Sequence, residues 1–224
     1  MKKFYGFSAI ELIVTIFVIY VVVQFSFDFS NKFNQAGKRE LLIKKVYTTL
    51  EEITRKENEK LPVAKWGWGE FETYVSSKNI LTKYIAPSLN KYRPCNNPLN
   101  CVGGFLSMDG EDYVNYRQKT DYARAIVGKD NIHIALKSEG GCTQGDANSI
   151  CGIFIIDIDN KDGANKLGED VFIFAFYGDG AFHPYGYNYE SKKIEAGCAK
   201  FSYGDTCAAK IMNDNWQIRY GNSQ

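Results

Sequence analysis

Three groups of residues in this chain have types and spacings that could do chemistry. Glu11 is the first, because it and Asp28 are the only charges in the stretch 7–29, FSAIELIVTIFVIYVVVQFSFDF. A carboxylate isolated in apolar surroundings costs roughly 3 kcal/mol, so its chemistry is pairing with a cation supplied by a partner. The second group is the acidic turn that runs from Asp157 through Asp159 and Asp162 to Asp170, where several oxygen ligands converge as they do in calcium loops. The third is six cysteines, Cys95, Cys101, Cys142, Cys151, Cys198 and Cys207, all beyond the apolar stretch.

Each group excludes as well as suggests. A strict EF-hand needs D-x-D-x-D-G with a bidentate Glu at its twelfth position, whereas Asp162-Gly163 arrives one residue late and no helix precedes it. Two readings of Asp157, Asp159, Asp162 and Asp170 stay open: a calcium loop of another kind, or a turn built by side-chain to backbone bonds and positive φ angles. Six cysteines allow fifteen connectivities. Nearest-neighbour pairing is favoured because CNNPLNC and CTQGDANSIC close loops with little core of their own, each stabilised by about 2–3 kcal/mol. The separations lack the CxxC couples of a zinc site, and an oxidising, exported compartment follows.

The chain has few parts for catalysis. Two histidines, His133 and His183, leave little scope for a His-rich metal centre, and there is no nucleophile elbow or phosphate-cradling glycine loop, so the reading is not an enzyme. Lys and Arg number 27 against 26 Asp and Glu, which removes the field that draws nucleic acid. The basic-aromatic cluster Lys83, Lys91, Tyr92, Arg93 is thin, and nucleic acid is not expected as a partner.

These groups must be positioned by longer elements. The 23 residues of 7–29 make a helix of about 34 Å, enough for a hydrocarbon core of roughly 30 Å. Lys2 and Lys3 precede it, which places the N-terminus in the cytoplasm and the remainder across the membrane. Behind the stretch, Val21-Val22-Val23 runs into Gln24, Phe25, Ser26 and Phe27 without the small-x-small pattern of a secretory cleavage site.

The sequence Lys2-Lys3-Phe4-Tyr5-Gly6-Phe7-Ser8-Ala9-Ile10-Glu11-Leu12 resembles the start of the type IV pilin and type II secretion pseudopilin superfamily. The resemblance implies that a prepilin peptidase cuts between Gly6 and Phe7, that the new Phe7 amine is methylated, and that Glu11 neutralises the Phe7 amine of a neighbouring subunit. It further implies an inner-membrane assembly platform, other pilin or pseudopilin subunits as partners, and a single-pass protein whose head lies in the periplasm or on the cell surface. One departure is plain: many type IV pilins carry a proline within this segment, and here none precedes Pro62.

After Asp28 the helical period continues through Phe33, Ala36, Ile43, Val46, Tyr47, Leu50 and Ile53 until Pro62 closes it, with Gly37 as its weak point. Shorter helices are predicted around 70–77 and 80–85, where Trp66, Trp68 and Tyr74 serve packing or filament contacts. Strands follow at 104–108, 122–127, 131–137, 152–158 and 171–177. The alternation of 131–137 gives one buried and one wetter face, with His133 on the wetter.

The fold class is α+β, a long N-terminal helix packed on an antiparallel sheet, and pilin-like. The domains are leader 1–6, membrane and assembly helix 7–29, amphipathic spine 30–61 and globular head 62–224. The strand-turn-strand at Asp157, followed by GDGAFHPYG and CAAKIMNDNWQI, is similar, more loosely, to the C-terminal part of large prepilin-type proteins. Major pseudopilins have calcium sites in this half of the head, which makes calcium the one cofactor to test. A short helix over 207–212, stapled by a disulfide, is expected there, with Trp216 and Ile218 docked on the sheet. The function expected is a structural filament subunit, with a membrane-anchored binding module of a DNA-uptake or substrate-binding kind as the alternative.

Overall fold

The computed structural model describes residues 9–70, 73–95, 105–110, 112–114, 121–128, 131–158 and 165–219, and within the first helix the side chains of Val14, 17–20 and 37 onward. The chain falls into two compact units, Met1–Lys38 and Arg39–Gln224. Helix α1 is continuous from Ala9 to Lys60, through Gly37. It stops before Pro62, which lacks the N–H that a further turn requires.

Among the described residues no helix is long and apolar enough to cross a membrane, and most side chains of 7–29 lie outside them. Those described in the first unit are bare: Val14, Phe17, Val18, Ile19 and Tyr20 are each 52–66% exposed. Successive helical residues are about 100° apart, so 17 to 20 sample the whole circumference.

The second unit is α+β. Its main sheet has six strands in the order β1-β4-β5-β6-β8-β9, where β1 is Arg93–Pro94, β4 Ala123–Val127, β5 Ile132–Ser138, β6 Ile150–Asp157, β8 Val171–Tyr177 and β9 Phe182–Pro184. Every pairing in it is antiparallel, as short connections between neighbouring strands predict. A second sheet joins β2 (Phe105–Leu106), β3 (Asp112–Val114) and β7 (Asn165–Lys166), with a parallel pairing between β2 and β7 that the strand spacing did not suggest.

Burial follows the pleat. Ile134, Leu136, Phe154, Ile156, Phe172, Phe174 and Phe176 join Ile43, Val46, Tyr47, Leu50 and Ile53 of α1 in one core. The alternate residues Ala135, Ile155, Val171 and Ile173 pack with Phe105 and Leu167 in a second. All seven residues of β8 are therefore buried. The wetter face expected for β5 is corrected here: His133 is 9% exposed, because β2 and the turn after β7 lie over that side of the sheet. Local alternation reports the pleat and not what covers it.

The expected helices at 70–77 and 80–85 form one run, α2 (Thr73–Ile80) passing into a π turn at Leu81–Ile85 and a 3₁₀ turn at Ala86–Ser88. Trp66 and Trp68 are core residues. Trp68 donates its indole N–H to Val63 O at 2.7 Å, and Trp66 stacks on Tyr84 at 4.5 Å. A Cβ on Gly152 would lie 2.3 Å from Trp68 Cζ3, so only glycine lets β6 pass beneath that ring.

Helix α3 (Ser191–Gly197) and helix α4 (Cys207–Asn213) complete the unit. The chain end then docks on α1, a correction to the expected docking on the sheet. The Trp216 ring lies 4.9 Å from that of Tyr47, and Ile218 donates its N–H to Glu40 Oε1 at 2.8 Å. Asn215 and Trp216 reach this place through left-handed conformations, φ 56° and 67°. Such strain costs on the order of 1–3 kcal/mol per residue and is offset by burial of the indole.

Candidate functional site

The residues proposed for processing and assembly lie at the chain start. Gly6 and Phe7 are outside the described residues; Glu11 lies within α1, though its side chain is not described. What the described part contributes is Val14 and the exposed run of Phe17, Val18, Ile19 and Tyr20. A helix that is apolar all round finds its partner in lipid or in other helices rather than in water.

The cysteine framework follows the nearest-neighbour expectation where it is described. Cys142 pairs with Cys151, and Cys198 pairs with Cys207. Cys95 is disulfide-bonded, and Cys101 lies outside the described residues. Cys151 is the extra residue of a bulge between Ile150 and Gly152, so the first staple anchors its Gly- and Asn-rich loop to β6. The second ties the end of α3 to the start of α4, in a small cluster with Met108, whose sulfur lies 3.2 Å from Cys207 Sγ.

The acidic turn is divided between described and undescribed residues. Asp159 and Asp162 lie outside them. Asp157 and Asp170 are 1% and 6% exposed, beneath the second face of the sheet with Arg124, His133 and Asn165. Asn165 donates Nδ2–H to Asp157 Oδ2 at 2.9 Å, and Lys166 donates its backbone N–H to Asp170 Oδ1 at 2.5 Å. Asp170 also accepts at its carbonyl from Ile158 N at 2.9 Å. These bonds are what a structural turn needs, since each buried carboxylate oxygen without a donor would carry its full desolvation cost. Among the described residues no group of three or more His, Cys, Asp or Glu could hold a metal ion.

Calcium and turn chemistry therefore make different claims on the same carboxylates, and melting decides between them. Residues 39–224, disulfides intact, are expected to melt at the same temperature in millimolar calcium and in chelator if Asp157 and Asp170 are turn formers. A rise in Tm with calcium that disappears in Asp159→Ala would establish the ion site by mass action.

One titratable array lies on the α1 face. Tyr47 Oη is 3.3 Å from His183 Nδ1, and the His183 ring lies 4.2 Å from that of Tyr187. Burial pushes Tyr47 up to about 12, reinforced by the charge of Glu51 and a hydrogen bond to it. Burial likewise raises Tyr177. The same desolvation lowers His183, against the opposing pull of Asp179 and Glu51. A histidine depressed in the folded state takes its proton more readily when unfolded. Stability is thus present above the unfolded value of 6.5 and lost as pH falls below it. Thermal melts between pH 7.5 and 5 are expected to fall on acidification, with a shallower slope in His183→Gln; parallel slopes would show that His183 does not carry the effect.

Two grooves were not legible in the sequence. The larger, about 450 Å³, lies between α1, the 88–91 loop and the β4–β5 turn, with Val46, Leu50, Val127 and Ile132 inside and Lys45 and Lys91 at its mouth. The smaller, about 370 Å³, is lined by Trp66, Glu70, Asn79, Lys83 and Tyr84. Lys83 and Lys91, grouped by the sequence, line different grooves, while Arg93 bonds Asn131 Oδ1 at 2.5 Å. Comparison with known protein families, with curated proteins and with solved structures returns no match.

Proposed function

We propose that this chain is a structural subunit of a filament of the type IV pilus or type II secretion pseudopilus kind, inserted in the inner membrane, cut between Gly6 and Phe7 by a prepilin peptidase and assembled through α1. The observation that carries the reading is the combination of one acidic residue, Glu11, at the fifth place counted from Phe7 as the first, with an apolar helix surface bare on every side at 17–20. Lipid satisfies that surface in the monomer and neighbouring helices satisfy it in the assembly, whereas water does not. The unit Arg39–Gln224 supplies a disulfide-stapled α+β head suited to an oxidising compartment.

The role needs no catalytic constellation. The chemistry that matters is one ion pair, repeated from subunit to subunit, between the Glu11 carboxylate and the Phe7 amine of the next copy. Assembly is tested by placing p-benzoylphenylalanine at position 17 of the full chain in its native membrane. Irradiation is expected to give a ladder of dimers and higher oligomers of this chain or its partner subunits. A product that stays monomeric at all yields of activation rules out the filament reading.

A further inference from the structure

The groove behind Lys45 and Lys91 is divided by polarity. Val46, Leu50 and Ile132 on its walls are buried, whereas the polar side chains that line it, from Lys45 and Thr49 to Asn90 and Lys91, are exposed. Among the described residues that line it there is no carboxylate and no aromatic ring. The next two carboxylates of α1 are engaged elsewhere: Glu52 pairs with Lys56 at 2.7 Å, and Glu51 bonds Tyr47.

The entrance is built at some cost to the backbone. Lys91 holds a left-handed conformation, φ 54°, that glycine or asparagine would adopt more readily. Strain of this kind persists where the surroundings impose it. Here Gly128 donates its N–H to Asn90 O at 2.9 Å, which joins the 88–91 loop to the β4–β5 turn, and Arg93 donates to Asn131 Oδ1 at 2.5 Å across the same junction. The Lys91 side chain is therefore carried on a fixed backbone beside the opening.

The lining selects the chemistry of an occupant. Its buried side chains offer no hydrogen bond, so the part of a ligand that enters must be hydrocarbon; a peptide would leave its own N–H and C=O groups unpaired there. Strand addition is closed as well, since β1 already occupies the edge of β4 and Cys95 extends that pairing by donating its N–H to Arg124 O at 2.9 Å. Walls without an aromatic ring give a planar ligand nothing to stack on. The exposed ammoniums select an anionic head. The volume, about 450 Å³, falls within the roughly 300–1,000 Å³ of small-molecule sites.

We infer that the groove binds a long-chain fatty acid, with its acyl chain against Val46, Leu50 and Ile132 and its carboxylate at Lys91 and Lys45. The groove lies wholly within the unit Arg39–Gln224, so its occupancy is independent of filament assembly.

The test incubates the full chain in its native membrane with hexadecanoate that carries a diazirine in its chain and a terminal alkyne, and maps the adducts after irradiation by mass spectrometry. The expected adduct lies on peptides containing residues 45–50, 88–91 or 127–134. Excess hexadecanoate removes it and excess hexadecanol does not. Lys91→Gly relieves the left-handed strain and so keeps the fold, and it is expected to lower the groove adduct about tenfold through the loss of one charge-assisted contact. Lys91→Arg is expected to keep the adduct, and Thr49→Trp, a bulky ring at an exposed position of the lining, to block it. Adducts confined to other peptides, equal displacement by hexadecanol, or a yield indifferent to Lys91→Gly and Thr49→Trp overturns the fatty-acid site. Each of these outcomes leaves the ladder from position 17 untouched, so the filament reading stands or falls separately.

Discussion

Glu11→Ala is expected to leave the protein inserted in the membrane and to abolish its assembly. In the monomer the substitution removes a carboxylate that costs roughly 3 kcal/mol in lipid, so the variant is retained as well as the parent. In the filament it strips the neighbouring Phe7 amine of its counter-charge. Breaking a buried pair by removing one partner costs about 3 kcal/mol or more, roughly a hundredfold in each subunit–subunit association. Cross-linking from position 17 reads the outcome directly: a monomer band of normal intensity with the ladder gone. Glu11→Asp keeps the charge but shortens its reach, and a partial ladder is expected. A full ladder in Glu11→Ala would sink the registration role.

The second large effect lies at the cleavage junction. Gly6→Leu is expected to hold the chain as a precursor starting at Met1, because a peptidase that accepts a residue without a side chain meets a branched one at the scissile bond. N-terminal sequencing of the membrane-bound parent should begin at Phe7, and that of the variant at Met1. The uncut chain keeps Lys2 and Lys3 beside the apolar segment, so its orientation is unchanged. Its residue 7 nitrogen, however, is an amide rather than an ammonium and cannot pair with Glu11. Gly6→Leu should thus copy the assembly defect of Glu11→Ala, and the two together should be no worse than either alone. A parent chain beginning beyond residue 25 would contradict the processing claim.

Much of the head was legible because its signals are local. The period through Ile43, Val46, Tyr47, Leu50 and Ile53 names the face of α1 that meets the core, and that face is buried. The β8 run was read to the residue, Val171–Tyr177, because β-branched and aromatic residues bounded by turn formers admit little else. Cysteine couples closing Gly- and Asn-rich loops pair as their neighbourhood suggests at Cys142–Cys151 and Cys198–Cys207. Where the reading failed, the missing information was distant in the chain. His133 is buried by residues around 105 and 167, and Trp216 meets Tyr47 at a sequence separation of 169.

By itself the sequence determined the kind of elements in the head, and the spacing of Gly6, Phe7 and Glu11 is what the processing and assembly proposal stands on. It also determined the α+β class and two staples, because hydrophobic period and loop composition are properties of short windows. Tertiary structure alone decided that both faces of the sheet are covered, that Asp157 Oδ2 accepts from Asn165 and Asp170 Oδ1 from the Lys166 amide, and that Phe201 stands exposed while a groove opens behind Lys45 and Lys91. The physical reason is the same in each case. Burial and exposure belong to surfaces assembled from segments far apart in the chain, and no window along the chain contains both sides of such a contact.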